Sequence, residues 1–320
     1  MKKFLLLIAL ALCSFAFSQE SKNTDWEFYT TTDFAYYLKS AYIPGRDHFS
    51  PVSGPYDGIG FRSSFSADYT KEIPLGTHPL LSNSKIIFTP GIELSPITFS
   101  LKLSTTFEPV PFYQFSAGGT LGTGWNFSTL SGLKLYNFNT NEYENPNYFS
   151  NLYYELWFQN VLMFDTGYLI PGDWTHVVFQ FKSKIIYTDI TDCPSNTIYS
   201  WQQTINNATG LKYDNTLIIG YQLPFKLYRT GIISEFTGHF DPTDYNIFTS
   251  TYKGKFTTIT VAPFWQFRFS DKDSLDCMIE FSNRRSFYQD HTSVFEELNL
   301  NYSGKEWFLN RIGFSWFHKF

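Results

Sequence analysis

The chain lacks the features that mark most other protein classes. It has only three cysteines, and one of them, Cys13, lies in the N-terminal apolar segment. The other two, Cys193 and Cys277, are too few for a disulfide-stapled scaffold, and no Cys/His spacing suggests a zinc site. Beyond the first 18 residues, no apolar run approaches the roughly 20 residues that a transmembrane helix needs. Leu-, Ala- and Val-rich segments, the usual core of a soluble globule, are scarce. Basic charge is not in excess: 24 Lys and Arg stand against 29 Asp and Glu. This argues against nucleic acid as a partner, because its binders carry basic patches. Internal repeats, low-complexity runs and domain linkers are also missing, so the chain reads as one domain.

What the chain has is aromatic residues, 65 of them (35 Phe, 22 Tyr, 8 Trp), alongside a slightly negative mean hydropathy. Aromatic girdles around a polar interior account for both facts. The N-terminus reads as a secretory signal peptide. Lys2 and Lys3 precede an apolar core at 4–12, and Ala16-Phe17-Ser18 offers small residues to a signal peptidase. Cleavage after Ser18 is expected, leaving 19–320 as the mature chain. Leu12 before Cys13 favours plain cleavage over lipidation. Without Lys2 and Lys3, 22 basic residues face 29 acidic ones, a net charge of −7.

Alternation with a period of two runs along most of the mature chain, which places successive side chains on opposite faces of strands. In 59–69, Ile59, Phe61, Phe65, Ala67 and Tyr69 interleave with Arg62, Ser64, Ser66 and Asp68. In 154–168, Tyr154, Leu156, Phe158, Leu162, Phe164 and Tyr168 interleave with Glu155, Gln159 and Asp165. Similar segments are expected at 26–38, 174–188, 216–223, 228–240, 258–269 and 275–284. Three further strands are expected at 84–93, 97–107 and 112–125, of which Pro90 and Pro96 disturb the first two. The last strand sets Phe308, Ile312, Phe314, Trp316 and Phe320 on one face. Trp307, Leu309, Arg311, Gly313, Ser315, Phe317 and Lys319 fall on the other.

A long terminal strand that ends on an aromatic residue resembles the C-terminal signal of bacterial outer-membrane β-barrel proteins. The resemblance covers the general barrel pattern and this strand, and no characterised family is assigned. It implies an all-β fold, an antiparallel up-and-down transmembrane β-barrel in the outer membrane. About twelve strands are expected, with ten or fourteen as neighbours. The implied partners are outer-membrane lipid and, through the C-terminal strand, the barrel-assembly machinery. With the last strand ending in the periplasm, 40–56, 126–151, 190–210, 240–253 and 289–304 become outer loops. The connections at 72–83, 169–173, 223–225 and 270–274 become periplasmic turns.

The inward face then carries Arg62, Lys182, Lys184, Arg229, Arg268, Arg284, Arg311 and Lys319, opposed by Glu27, Asp33, Asp68, Glu155, Asp165, Glu235, Asp276 and Glu280. Ion-selective pores carry like-charged rings, and this balance of signs disfavours such a filter. The expected lumen-lining set is Arg62, Asp68, Glu155, Lys182, Lys184, Arg229, Glu235, Arg268, Glu280, Arg284 and Arg311. A porin-like passage for small solutes is the first functional expectation. A surface-exposed structural or adhesive barrel with a plugged lumen is the second, the Asn- and Tyr-rich loop at 137–153 being its candidate contact surface. An outer-membrane hydrolase is the third. Its only residue signals are Asp47-His48 and Asp290-His291, and no catalytic residue is assigned. The glycine-rich 118–124 lacks the Lys of a phosphate loop and reads instead as close strand packing. No cofactor and no metal are expected. Cys277, on a lipid-facing position, and Cys193, in a loop, are expected to remain free thiols.

Overall fold

The computed structural model of the chain describes residues 26–147 and 149–320. The expected signal peptide at 1–18 lies outside the described residues. Twelve long antiparallel strands form the wall: β1 Trp26–Ser40, β2 Val52–Glu72, β3 Lys85–Leu94, β4 Thr98–Val110, β5 Tyr113–Gly124, β6 Tyr153–Asp165, β7 Val177–Ile190, β8 Gly210–Gln222, β9 Leu227–His239, β10 Thr258–Arg268, β11 Asp273–Phe287 and β12 Tyr302–Lys319. Each pairs with its neighbours in sequence, and β12 returns to pair with β1, from Tyr29 opposite Lys319 to Tyr37 opposite Arg311. Closure of this kind removes every sheet edge.

The outward positions are apolar and uncovered. Phe61, Leu101, Leu103, Leu156, Leu162, Phe181, Ile219 and Ile232 are all exposed. In water, so large an apolar belt would drive aggregation, whereas against lipid tails it is the stable arrangement. Among the described residues no helix is long and apolar enough to cross a membrane. The closed barrel with its apolar belt is an outer-membrane barrel.

The wall is uneven. A membrane crossing takes about 9–11 tilted residues, and β3 has 10 and β10 has 11. By contrast β1 and β11 have 15 each, β12 has 18 and β2 has 21. The four strands β11, β12, β1 and β2, contiguous around the ring, therefore stand tall on the outer side.

Four prolines lie inside the wall strands; Pro55 and Pro109 are near strand ends, while Pro90 and Pro263 are in strand interiors, where a missing N–H should break a ladder. Pro90 pairs with Leu103 on β4, but the β2–β3 ladder skips from Ser66–Gly91 to Tyr69–Phe88 beside it. Pro263 pairs with Ile232 on β9, while the β10–β11 ladder skips from Val261–Phe281 to Phe264–Met278. Each proline thus sits at a gap on one side only, which is how β3 forms despite Pro90.

The terminal strand differs from its expected phase. A bulge in β12 falls at Asn310: Arg311 pairs with Glu280, and the next pair is Leu309 with Phe281. One extra residue reverses the side-chain parity beyond it. Phe308 therefore turns inward, where the Arg284 guanidinium lies 4.5 Å from its ring centre, and Glu306 turns inward with it. Trp307 and Leu309 move to the lipid face. The strand expected over 154–168 ends at Asp165, and Thr166–Tyr168 forms a short 3₁₀ turn. The strand expected from residue 174 begins at Val177.

Candidate functional site

The inner wall is built from cross-strand charge pairs. The Arg62 Nε lies 2.7 Å from Asp33 on β1, and Asp33 also accepts from Ser315 of β12. Lys184 meets Glu155 at 3.1 Å and Lys182 meets Asp214 at 3.5 Å, so charges alternate along β6, β7 and β8. Arg311 meets Glu280 at 2.7 Å, and Asn310, brought to the same side by the bulge, donates to the other oxygen of Glu280. Near the periplasmic end Lys319 meets Glu27 at 2.6 Å. Asp68 accepts from Tyr29 and Thr89. Glu235 faces Thr216 and Thr260 and has no ion pair among the described residues.

Several members of this wall escaped the sequence reading. Lys102 meets Glu93 at 2.5 Å and Lys85 meets Glu108 at 3.0 Å in the proline-bearing region. Glu306, which the sequence reading assigned to neither face, is 2% exposed and receives Arg284 at 2.5 Å and His48 at 3.1 Å. The alternation itself pointed to Glu306, provided that a bulge was placed at the polar Asn310.

The interior leaves room for water beside its charges. The side chains of Arg62, Lys102 and Arg311 keep 49%, 42% and 37% of their surface accessible although all three point into the barrel. Ions that retain this much contact with water escape most of the several-kcal/mol desolvation cost of a dry interior.

The outer mouth is covered by a folded cap rather than by unstructured loops. Leu133–Asn137, Glu142–Glu144, Ile198–Trp201 and Thr204–Ala208 form a four-stranded antiparallel sheet. Below it Tyr136, Ile198, Ala208, Tyr245, Phe248, Tyr252, Phe287 and Leu298 make the main buried apolar cluster. Sequence reading left 126–151 and 190–210 as loops because the strands here are five residues or fewer, too short for periodicity to register.

The hairpin Ile198–Ala208 is the cap's key element. It leaves the wall between β7 and β8, and Gln202 Nε2 donates to Glu93 Oε1 and Thr98 Oγ1, both at 3.0 Å, on β3 and β4. Strands β3 and β7 are four places apart in the ring, so the hairpin lies across the mouth. Its base is also held: Asn206 donates to the Val294 carbonyl in the β11–β12 loop at 2.8 Å. Trp201 stacks on Tyr153 with ring centres 4.6 Å apart. A Cβ on Gly122 would meet the Trp201 ring at 2.7 Å, and one on Gly118 would meet Trp157 at 2.5 Å. Close packing thus accounts for these two glycines. The hairpin turn is Gln202-Gln203 with φ of 50° and 67°. Such a turn normally takes Asn-Gly, so its tertiary hydrogen bonds maintain a conformation that costs about 1–3 kcal/mol per residue. Behind the hairpin a cavity of about 230 Å³ is lined by Tyr153, Glu155, Thr188, Trp201, Asn207 and Lys212, among others.

Among the described residues, neither Asp47 with His48 nor Asp290 with His291 forms a hydrogen-bonded pair. His48 bonds Glu306 and the Arg46 carbonyl, whereas Asp47 accepts from the Lys305 N–H. His291 is buried between Tyr42 and Phe287, 3.7 Å from Glu297. Among the described residues no group of His, Cys, Asp and Glu is placed to hold a metal ion. Cys193 and Cys277 are free thiols.

The cap contains a titratable anchor. Asp244 is buried and accepts from His239 Nδ1 at 2.7 Å. Burial pushes its carboxyl up to about 6; the neighbouring Asp241 charge adds to the rise, and Lys212 opposes it. A carboxyl raised by folding favours the folded state when protonated, so this contribution is full at low pH and is lost as pH rises through about 6. Amide exchange in 242–253, corrected for its intrinsic pH dependence, should be slower at about pH 5 than at about pH 7.5. Asp244→Asn should abolish the difference, and an unchanged difference in that variant would refute the assignment.

No protein-family model and no curated protein matches the chain. Among solved structures it is similar to an outer membrane channel from Pseudomonas putida F1, at 12% identity over 95% of this chain and 98% of that one, TM-score 0.43. It is also similar to the β domain of the Bordetella autotransporter BrkA, at 8% identity over 92% and 99% of the two chains, TM-score 0.43. A third similarity is to outer membrane phospholipase A from Escherichia coli, at 7% identity over 92% of each chain, TM-score 0.32.

Proposed function

We propose that this outer-membrane barrel is a porin-like passage for small solutes, lined by paired charges of both signs and barred at its outer mouth by the hairpin Ile198–Ala208. The observation that carries the reading is the accessibility of Arg62, Lys102 and Arg311 inside the wall. A lumen filled by its own side chains would bury those groups. Twelve strands also enclose more space than the eight that side chains fill readily. Pairing across neighbouring strands cancels charge locally, so diffusion past these walls needs no strong preference for either sign. The protein acts by conduction and not as an enzyme on this reading, in keeping with His48 and His291 of the two sequence-adjacent Asp-His pairs facing Glu306 and Glu297 instead.

The test is refolded protein in a planar bilayer. Small, resolvable conductance steps with weak ion selectivity are expected, small because the hairpin narrows the mouth. Silent insertions, verified by heat-dependent gel mobility, would favour the plugged surface barrel instead.

A further inference from the structure

Among the described residues, six of the eight cations first assigned to the inner wall have a carboxylate within 4 Å, and Arg229 and Arg268 do not. These two exceptions are neighbours. Both guanidinium groups lie against the ring of Tyr228, with Arg268 at 3.8 Å and Arg229 at 5.3 Å from its centre. A bulge between Leu227 and Arg229 explains how one ring serves both, because Tyr228 is the extra residue opposite β10. Arg229 Nε is buried without a hydrogen-bond partner. Two like charges share one ring, and Arg268 is the member that also lines open space, where an anion can pair with it.

Beside them lies the larger of the two most prominent cavities, about 390 Å³, at the periplasmic opening. This size falls within the range of small-molecule sites. Arg268 and Gln222 approach it from the inner face of the wall, with Lys226 at its rim. Its other side is apolar, formed by Leu223, Pro224 and Phe225, and Asp173 is the acidic member of the lining. His176, also in the lining, is occupied by Asp165 at 2.9 Å. A guanidinium stacked flat on an aromatic ring leaves its N–H edge free, and that edge matches a carboxylate bidentately.

We infer that the periplasmic mouth holds a binding site for small carboxylates bearing an apolar or aromatic portion, with Arg268 receiving the carboxylate and Leu223, Pro224 and Phe225 the apolar part. This rests on the channel reading for its place in transport, by naming the solute class that the passage favours, but binding is measurable without transport.

The probes are benzoate and its neutral isostere benzamide, observed by saturation-transfer NMR on the refolded full barrel in detergent. Benzoate should bind and benzamide should not. Arg268→Gln, shown to be folded by its heat-dependent mobility, should weaken benzoate by about ten-fold or more, as expected for losing a charge-assisted bidentate contact. Arg268→Lys should recover part of it. Equal binding of the two probes, an unchanged Arg268→Gln variant, or inorganic phosphate outcompeting benzoate would each overturn the carboxylate site. Benzoate binding by a barrel that shows no conductance would leave the site standing and end the channel reading; conductance without benzoate binding would do the reverse.

Discussion

Removing the bar across the mouth is expected to raise single-channel conductance several-fold. The variant replaces 199–207 with Asn-Gly between Ile198 and Ala208, two residues that already face each other across the hairpin. The new link closes as a tight two-residue turn, because Asn-Gly adopts the required positive φ values without strain. What disappears is the tip that reaches Glu93 and Thr98, together with the Trp201 ring stacked on Tyr153. The wall loses no strand pairing, so the gel-mobility shift of the folded barrel should persist. A subtler variant separates the tether from the bar. Gln202→Asn with Gln203→Gly relaxes the turn but removes both long side-chain anchors, and Gln203 otherwise donates to the Ser131 carbonyl at 2.6 Å. Its main-state conductance should stay near that of the parent while open-channel noise increases. Unaltered conductance in the deletion variant would show that the constriction lies elsewhere.

The largest stability effect is expected from Glu306→Leu, a loss of about 3–5 kcal/mol. Glu306 is almost wholly buried and is a node: it accepts from Arg284 Nε at 2.5 Å, His48 Nε2 at 3.1 Å and the Ile43 N–H at 3.3 Å. Arg284 in turn donates to the Ala41 carbonyl and stacks on Tyr42 at 4.0 Å. The pair thus pins the first outer loop to the tall strands. Leucine strands a buried guanidinium with no counter-charge, which is why deleting one partner costs far more than the net worth of the pair. Combining Glu306→Leu with Arg284→Met should recover most of the loss. Guanidinium unfolding in detergent reads both variants, and a single-variant cost below about 1 kcal/mol would contradict the node.

Lipid-facing positions were legible because the bilayer tolerates almost nothing polar there, so Leu156, Phe158, Phe181 and Leu217 announce their face without knowledge of partners. Inward charges such as Arg62 and Lys184 followed by parity. Parity has no memory of insertions, however, and one extra residue at Asn310 put Phe308, Trp307 and Leu309 on the wrong faces. The cap was illegible for a different reason. Its short strands are held by contacts between distant segments, and Gln202-Gln203 is not a turn signal, because only Glu93, Thr98 and Ser131 make that turn affordable. The Arg229–Tyr228–Arg268 stack likewise depends on a bulge. Glycine spacing at 118–124 could have suggested close packing, but not that Trp157 and Trp201 were the rings involved.

The prolines in β3 and β10 carry a mechanical consequence. The two ladders they interrupt, β2–β3 and β10–β11, are the shortest in the ring, and they bound the tall quartet β11, β12, β1 and β2 on either side. Among the described residues every strand-to-strand ion pair stays within that quartet or within the other eight strands. The joint between the two chain ends, β1 with β12, lies inside the quartet and is braced by Lys319–Glu27 and Ser315–Asp33. The two seams are bridged by side-chain hydrogen bonds such as Thr89 to Asp68 and Thr260 with Ser282 rather than by ion pairs, so the wall is expected to yield along them before the closing joint does.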